Sequence, residues 1–324
     1  MLLDVQHLAS YFFLDEGVLK AVDDVSFTID AREAVALVGE SGCGKTIVAL
    51  SLLNLIQPPG RVVGGRILFD GEDLLEVSPE RFRQIRGGGI GIVFQEPGAA
   101  LNPVYTVGDQ IADVLRLHRG LTKHEAHATA VQLLGDTGIS EPEKRAKAYP
   151  FELSGGMQQR ALIAIAISGR PKLLIADEPT TALDPTVQAE ILDLLRHLQE
   201  EYDMALLLIT HDVGVVAGMA ERVMVMYTGK IVEIADVRAL FYEPLHPYSQ
   251  GLLRSAPLLG AGRKAPLQGI PGAVPDFLEL PSGCTFHPRC SIGDESCSAE
   301  FPPLLDTATQ RKCACYKVHD GDSG

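Results

Sequence analysis

Short apolar runs, bounded by glycine, proline and charged residues, punctuate the first 240 positions. Ala34 to Val38, Ile90 to Phe94, Lys172 to Ala176, Ala205 to Ile209 and Val223 to Met226 carry almost no polar face. Such runs predict strands covered on both sides, hence a mostly parallel sheet in an α/β fold. Residues 2–7 and 25–29 alternate or run apolar like short strands, and Arg66 to Asp70 leads into a Gly71-Glu72 turn. Helical spacing marks Val107 to Leu117, Lys123 to Gly135 and Thr186 to Glu200. Pro79 to Arg86 predicts a basic helix, with Arg81, Arg83 and Arg86 on a solvated face, ended by Gly87-Gly88-Gly89. No convincing strand lies between about Leu101 and Ile167, so a helical subdomain (about 98–170) is inserted into the α/β core, which spans 1–240. Met224 and Met226 flank a strand and read as core.

Beyond about Leu240 the texture changes. Ten prolines (Pro244, Pro247, Pro257, Pro266, Pro271, Pro275, Pro281, Pro288, Pro302 and Pro303) interrupt a segment, 241–324, without long periodicity. Alone it cannot bury enough apolar surface to fold, so it requires a staple or must dock on the main domain. Cysteine usage points to a staple: Cys43 stands apart, whereas Cys284, Cys290, Cys297, Cys313 and Cys315 crowd the tail. In a reducing compartment that crowding suggests a metal or iron–sulfur site before disulfides. A cytoplasmic location is expected, because Met1-Leu2-Leu3-Asp4 lacks a signal-peptide pattern and no apolar run approaches a membrane span. The net charge of −14 argues against nucleic acid as the main partner.

Chemistry enters between two apolar runs, at Gly39-Glu40-Ser41-Gly42-Cys43-Gly44-Lys45-Thr46. This is the G-x-x-x-x-G-K-[ST] phosphate loop in its expected place, strand before and helix after. Glycines let backbone N–H groups turn inward around phosphate, and the helix start adds a positive dipole end. Lys45 supplies an ammonium for the β/γ-phosphates and Thr46 a hydroxyl for Mg²⁺. ATP is the expected ligand. A second motif, Leu173-Leu174-Ile175-Ala176-Asp177-Glu178-Pro179, delivers acids at the end of an apolar strand. Asp177 is placed to hold Mg²⁺ through water, and Glu178 to polarise an attacking water as general base. A third, Leu153-Ser154-Gly155-Gly156-Met157-Gln158-Gln159-Arg160, opens an apolar helix with Ser154 as N-cap. Its free N–H groups form an anion site with no lysine of its own, as expected if it meets a nucleotide held by another subunit.

Ser154-Gly155-Gly156-Met157 resembles the signature of ABC-transporter ATP-binding subunits, in the Met-containing form usual in the peptide-importer branch. The likeness covers roughly residues 1–240 and implies a P-loop ABC ATPase core with an antiparallel β edge. It implies that Gln95 senses Mg²⁺ and the attacking water, that Asp184 of Ala182-Leu183-Asp184 crosses a dimer interface, and that His211 meets the γ-phosphate. Among Tyr11, Phe12 and Phe13, alignment of Gly17 and Ala21-Val22-Asp23 with the family's pattern puts Phe12 against adenine, with its two neighbours facing away.

His246 to Leu253 and Gly283 to Cys290 resemble the C-terminal extension of oligopeptide/dipeptide importer ATPases, shared by some nickel importers. The spacing C-x5-C-x6-C-x17-C fits neither zinc knuckles nor ferredoxins, and by itself leaves cluster, zinc and free thiols open. The resemblance implies a [4Fe-4S] cluster on Cys284, Cys290, Cys297 and Cys315, with Cys315 preferred to Cys313 because Ala314-Cys315-Tyr316 matches the family's terminal element. It also implies an ATPase at the cytoplasmic face of the membrane, energising import of di- or oligopeptides, or alternatively of nickel or another small solute. Its partners would be a second, related ATPase subunit, two transmembrane permeases and an extracytoplasmic solute-binding protein. A soluble, non-transport ABC ATPase is the lesser alternative, and would need a long coiled coil or two fused cassettes. A kinase would leave the Ser154-Gly155-Gly156 segment without a role.

Overall fold

A computed structural model describes the chain except for Ala182 and residues 256–268, 308–310 and 322–324. Ala182 of the expected Ala-Leu-Asp element, and Pro257 and Pro266 of the tail, therefore lie outside the described residues. The chain divides into two compact units, one of residues 1–29, 34–75 and 209–324, the other of residues 30–33 and 76–208.

The first unit holds two sets of strands. In one, Leu3–Leu14 pairs antiparallel with Gly17–Ile29 and with Gly60–Phe69, and Glu72–Asp73 closes the edge. These strands are longer than the apolar pattern predicts. Register shifts between Val5 and Leu8, and again before Phe12, break the alternation that a sequence reading relies on. In the other set, Ala34–Val38 runs parallel to Arg222–Tyr227, which pairs antiparallel with Lys230–Asp236. The tail continues from there: Lys312–Cys313 pairs with Glu233 and Ile234, and Leu305–Asp306 adds outside it.

The tail also enters the core, which settles how a proline-rich segment acquires order. Tyr248, Leu252, Leu253 and Phe286 belong to one apolar cluster with Val38, Val225 and Tyr227. Helix Pro247–Ser255 supplies the first three, a helix too short and too isolated for its period to stand out in the sequence. Glu233, fully buried, accepts from the Leu245 and His246 N–H groups and ties the helix entry to the strand. Burial raises its pKa against those hydrogen bonds. Met224 and Met226 are core, as expected.

The second unit contains the parallel pair Ile90–Val93 and Leu173–Asp177, and the helices between them. Val107–Arg119 and Lys123–Asp136 begin at Thr106 and Thr122, whose side chains accept from the N–H groups of Asp109 and Glu125. Glu125 completes a capping box. The helix Gly155–Ser168 is apolar almost all round and buries Ala161, Leu162, Ile163, Ala164, Ala166 and Ile167. Within Pro79–Gly88 the backbone kinks at Arg86 and Gly87, where a stop was expected. Arg81 and Arg83 are exposed, but Arg86 lies 4.5 Å over the Phe82 ring and is half-buried, so the three do not share one solvated face.

Candidate functional site

In the first unit the loop 39–46 leaves the strand Ala34–Val38 and enters the helix Lys45–Leu52. Gly44 takes a φ of 107°, and a Cβ there would collide with the Ala21 carbonyl and the Met226 methyl. The helix is capped by Gly44, which has no side chain, and brings its positive dipole end to the loop. Lys45 is 4% exposed, and its ammonium donates to Gly39 O at 2.9 Å and Glu40 O at 3.1 Å, placing a positive charge inside the loop. Ser41, Gly42 and Thr46 are exposed, whereas Cys43 is buried and its thiol pKa is raised by that burial.

Two residues to which the sequence reading gave no role at the nucleotide site hold this loop from the tail. The Glu40 N–H donates to Tyr248 Oη at 2.7 Å. Arg289 grips the Glu40 carboxylate with both ends of its guanidinium, at 2.8 and 3.0 Å. No local signal marks either residue, because the partners stand 208 and 249 positions apart.

Tyr11 and Phe12 meet different partners. The Tyr11 hydroxyl donates to Asp23, and Lys20 approaches its ring at 5.4 Å. Burial and the Asp23 hydrogen bond push the Tyr11 pKa up to about 12. Phe12 packs its ring edge over Gly60, beside Ile56. Arg61 lies 4.5 Å from the Phe13 ring. His211 is exposed just past the strand Ala205–Thr210, and the next residue, Asp212, caps a short helix.

In the second unit Gln95 and Glu178 meet: Gln95 Nε2 donates to Glu178 Oε2 at 3.0 Å, and Thr181 Oγ1 donates to the same oxygen at 2.9 Å. The Glu178 backbone has a φ of 46°, in the left-handed region that costs a residue with a Cβ about 1 kcal/mol or more. Asp177, one residue earlier, is 2% exposed at the strand end. Asp184 caps the helix Pro185–Glu201 by accepting from the Thr186 and Val187 N–H groups. Ser154 accepts from Met157 N–H and opens the helix Gly155–Ser168; Ser154 and Gly155 are exposed, and Gly156 is half-buried beside Val187.

Four tail cysteines come together in the first unit. Cys284, Cys290, Cys297 and Cys315 line one cavity of ≈ 20 Å³, with His246, Phe286 and Tyr316 among its walls. Cys284 N–H donates to Cys297 O at 2.8 Å, closing the turn. Burial and the neighbouring thiols push the Cys284 pKa up to about 11. Cys313 is not among the lining residues; it is fully buried in its strand pairing with Glu233. Among the described residues, no three His, Cys, Asp or Glu side chains are placed to hold a single metal ion.

Residues 22–181 match the ABC transporter family, and residues 232–297 match the oligopeptide/dipeptide transporter C-terminal region. A putative peptide import ATP-binding protein of Brucella melitensis biotype 1 is 48% identical, over 98% of this chain and 97% of that protein. The oligopeptide transport ATP-binding protein AppD of Bacillus subtilis strain 168 is also 48% identical, over 97% and 96% of the two chains. The dipeptide transport ATP-binding protein DppD of Escherichia coli K12 is 44% identical over 100% and 98%. Among solved structures, the ATP-binding cassette MJ0796, dimeric and bound to ADP and Pi after hydrolysis, superposes with a TM-score of 0.66 at 27% identity, covering 73% of this chain and 99% of that one. CbiO1 of Clostridium perfringens gives 0.63 at 28% identity, over 75% and 91%. The chain therefore belongs to the ABC transporter ATP-binding family, in its oligopeptide/dipeptide branch, and is an ATPase that binds ATP with Mg²⁺.

Proposed function

We propose that this ATPase energises a binding-protein-dependent importer of di- or oligopeptides from the cytoplasmic face of the membrane. The observation that carries the reading is the match of residues 232–297 to the oligopeptide/dipeptide transporter C-terminal region, together with relatives named for peptide import along the whole chain. No helix among the described residues is long and apolar enough to cross a membrane, so the translocation path would belong to other chains. Two transmembrane permeases and a solute-binding protein are the proposed partners, together with a second, related ATPase subunit. Support for a permease contact comes from the second unit, where Val104, Tyr105 and Phe151 are 73%, 53% and 71% exposed. Tyr149 stacks on Phe151 at 5.6 Å, and Val107 N–H donates to Ala148 O, which draws the two loops side by side.

Within each composite site, Gly39 to Thr46 would wrap the phosphates, with Lys45 on the β/γ-phosphates, Thr46 and Asp177 on Mg²⁺, and Phe12 against adenine. Phe12 is favoured over Tyr11 because Tyr11 is engaged by Asp23 and Lys20. Glu178 would take the proton of the attacking water, oriented by Gln95 and Thr181, while His211 meets the γ-phosphate. Ser154, Gly155, Gly156 and Asp184 would close the neighbouring ATPase subunit's site, and that subunit's counterparts this one, so that binding closes the dimer and hydrolysis reopens it. The Glu178→Gln variant tests the central assignment. Its amide oxygen still accepts from Gln95 and Thr181, so geometry survives while the base is lost. MgATP binding should persist and a dimer accumulate, with kcat lower by about 10²–10⁴-fold; undiminished hydrolysis removes Glu178 from the role.

We propose further that the tail carries a [4Fe-4S] cluster as a structural staple, a reading supported by four cysteines lining one cavity. Cys284, Cys290, Cys297 and Cys315 would hold it, and its iron–thiolate bonds would cross-link three separate turns of a tail with little core of its own. Anaerobic purification should yield brown protein absorbing near roughly 400 nm. Stoichiometric zinc without iron would refute the cluster.

A further inference from the structure

A carboxylate is out of place in a loop built to hold a triphosphate. Glu40 stands second in the phosphate loop, where an unpaired negative charge opposes the ligand's own. Arg289 answers that charge. Its guanidinium is only 5% exposed and forks onto both Glu40 oxygens, the geometry in which an Arg–carboxylate pair is strongest. The fork is itself fixed. Arg289 Nε donates to Pro271 O at 2.9 Å, Nη1 reaches Tyr227 Oη at 3.3 Å, and the Tyr227 and Phe286 rings each lie 5.9 Å from the guanidinium carbon. Tyr248 takes the Glu40 backbone N–H from the same side of the chain's tail. Side chain and backbone of one loop residue are thus both held by the C-terminal extension.

We propose that Arg289 is a positioning residue of the nucleotide site, which neutralises Glu40 and pins the phosphate loop so that MgATP binding depends on a folded C-terminal extension. The turn that carries Arg289 also carries two cysteines of the cavity: His287 N–H donates to Cys284 O, Arg289 N–H to Phe286 O and Cys290 N–H to His287 O. Whatever holds Cys284 and Cys290 in place therefore holds the strap. Because the strap pre-organises the free loop and holds it alike in the ATP-bound and transition states, it should govern MgATP affinity and leave the chemical step nearly unchanged. The inference rests on reading Gly39 to Thr46 as the phosphate loop.

The test uses the full-length chain and the Kd for MgATP by titration calorimetry, with kcat and KM beside it. Arg289→Gln should raise Kd and KM about tenfold with kcat within about twofold, the scale of one charge-assisted hydrogen bond lost. Adding Glu40→Gln to that variant should recover most of the affinity, because the unpaired carboxylate is gone. A purely structural role for Arg289 gives no such recovery, and its absence overturns the proposal. Arg289→Lys keeps the charge without the fork and should weaken binding about threefold. It carries the comparison if Arg289→Gln does not fold, and unchanged affinity in a folded Arg289→Lys overturns the proposal equally. Lys45→Ala serves as the control on the loop itself: if it binds MgATP normally, the phosphate-loop reading fails independently of the strap.

Discussion

Phe286 is the residue on which the order of the C-terminal extension depends, and Phe286→Ala should show it. The ring is 3% exposed and meets three others: Tyr227 edge-on at 5.3 Å, Tyr248 at 5.4 Å and His246 at 5.9 Å. Truncating a buried Phe to Ala costs about 3–5 kcal/mol, and each lost aromatic pair accounts for about 0.5–1.5 kcal/mol beyond simple burial. The cavity has little chance to collapse, because the neighbouring rings hang from the strand Arg222–Tyr227 and the helix Pro247–Ser255. With a urea slope of about 2 kcal/mol/M, a loss near 4 kcal/mol lowers the midpoint by about 2 M. The chain has no tryptophan, so near-UV circular dichroism reports its tyrosines, two of which touch Phe286. Since two units need not unfold together, hydrogen exchange should accompany the urea curve. Exchange should rise in residues 284–290 and stay unchanged in the helix Val107–Arg119 of the other unit. A midpoint shift below about 0.5 M, or an unaltered tyrosine band, would refute the placement of Phe286 at the centre of this core.

Phe12→Ala should weaken MgATP by about two- to tenfold, the scale of one ring-stacking contact, and leave tripolyphosphate binding unchanged; equal loss for both ligands would take Phe12 off the adenine. Burial and, after it, the Asp23 hydrogen bond raise the Tyr11 pKa, so Asp23→Asn should bring that phenol part of the way down from about 12, read by ultraviolet titration against a Tyr11→Phe reference. The sign follows from linkage: Tyr11 is raised in the folded chain, so its contribution to stability is complete below pH 10 and fades as pH rises through about 12. Asp23→Asn should therefore flatten the alkaline loss of stability, and an unchanged alkaline limb would detach Tyr11 from it.

Much of the nucleotide chemistry was legible because it is local. A phosphate loop, an acid after an apolar strand and a serine-capped helix each consist of neighbours in sequence, and backbone geometry alone aims their N–H groups and carboxylates. The same locality made the helices Val107–Arg119 and Lys123–Asp136 readable, since a threonine cap and an apolar stripe are short-range signals. The long antiparallel strands were not readable in full, because bulges interrupt the period of two on which a strand is recognised. The solvated face expected of Arg81, Arg83 and Arg86 fails at Arg86, which stands one turn after Phe82 and packs over its ring where the backbone kinks.

By itself the sequence determined that this chain grips a triphosphate, carries a Ser-Gly-Gly helix start and ends in a cysteine-bearing tail that cannot fold unaided. Only the tertiary structure decided what that tail does with its folded state. It inserts Tyr248 and Phe286 into the core beside Val38, adds strands next to Glu233, gathers four of five tail cysteines around one cavity, and sends Arg289 to Glu40. The contacts of Tyr248, Phe286 and Arg289 with the Val38 core and Glu40 join positions more than two hundred residues apart, where no spacing rule applies. They exist because a proline-rich segment lacking its own apolar face gains order by burying its few aromatic side chains against a finished core.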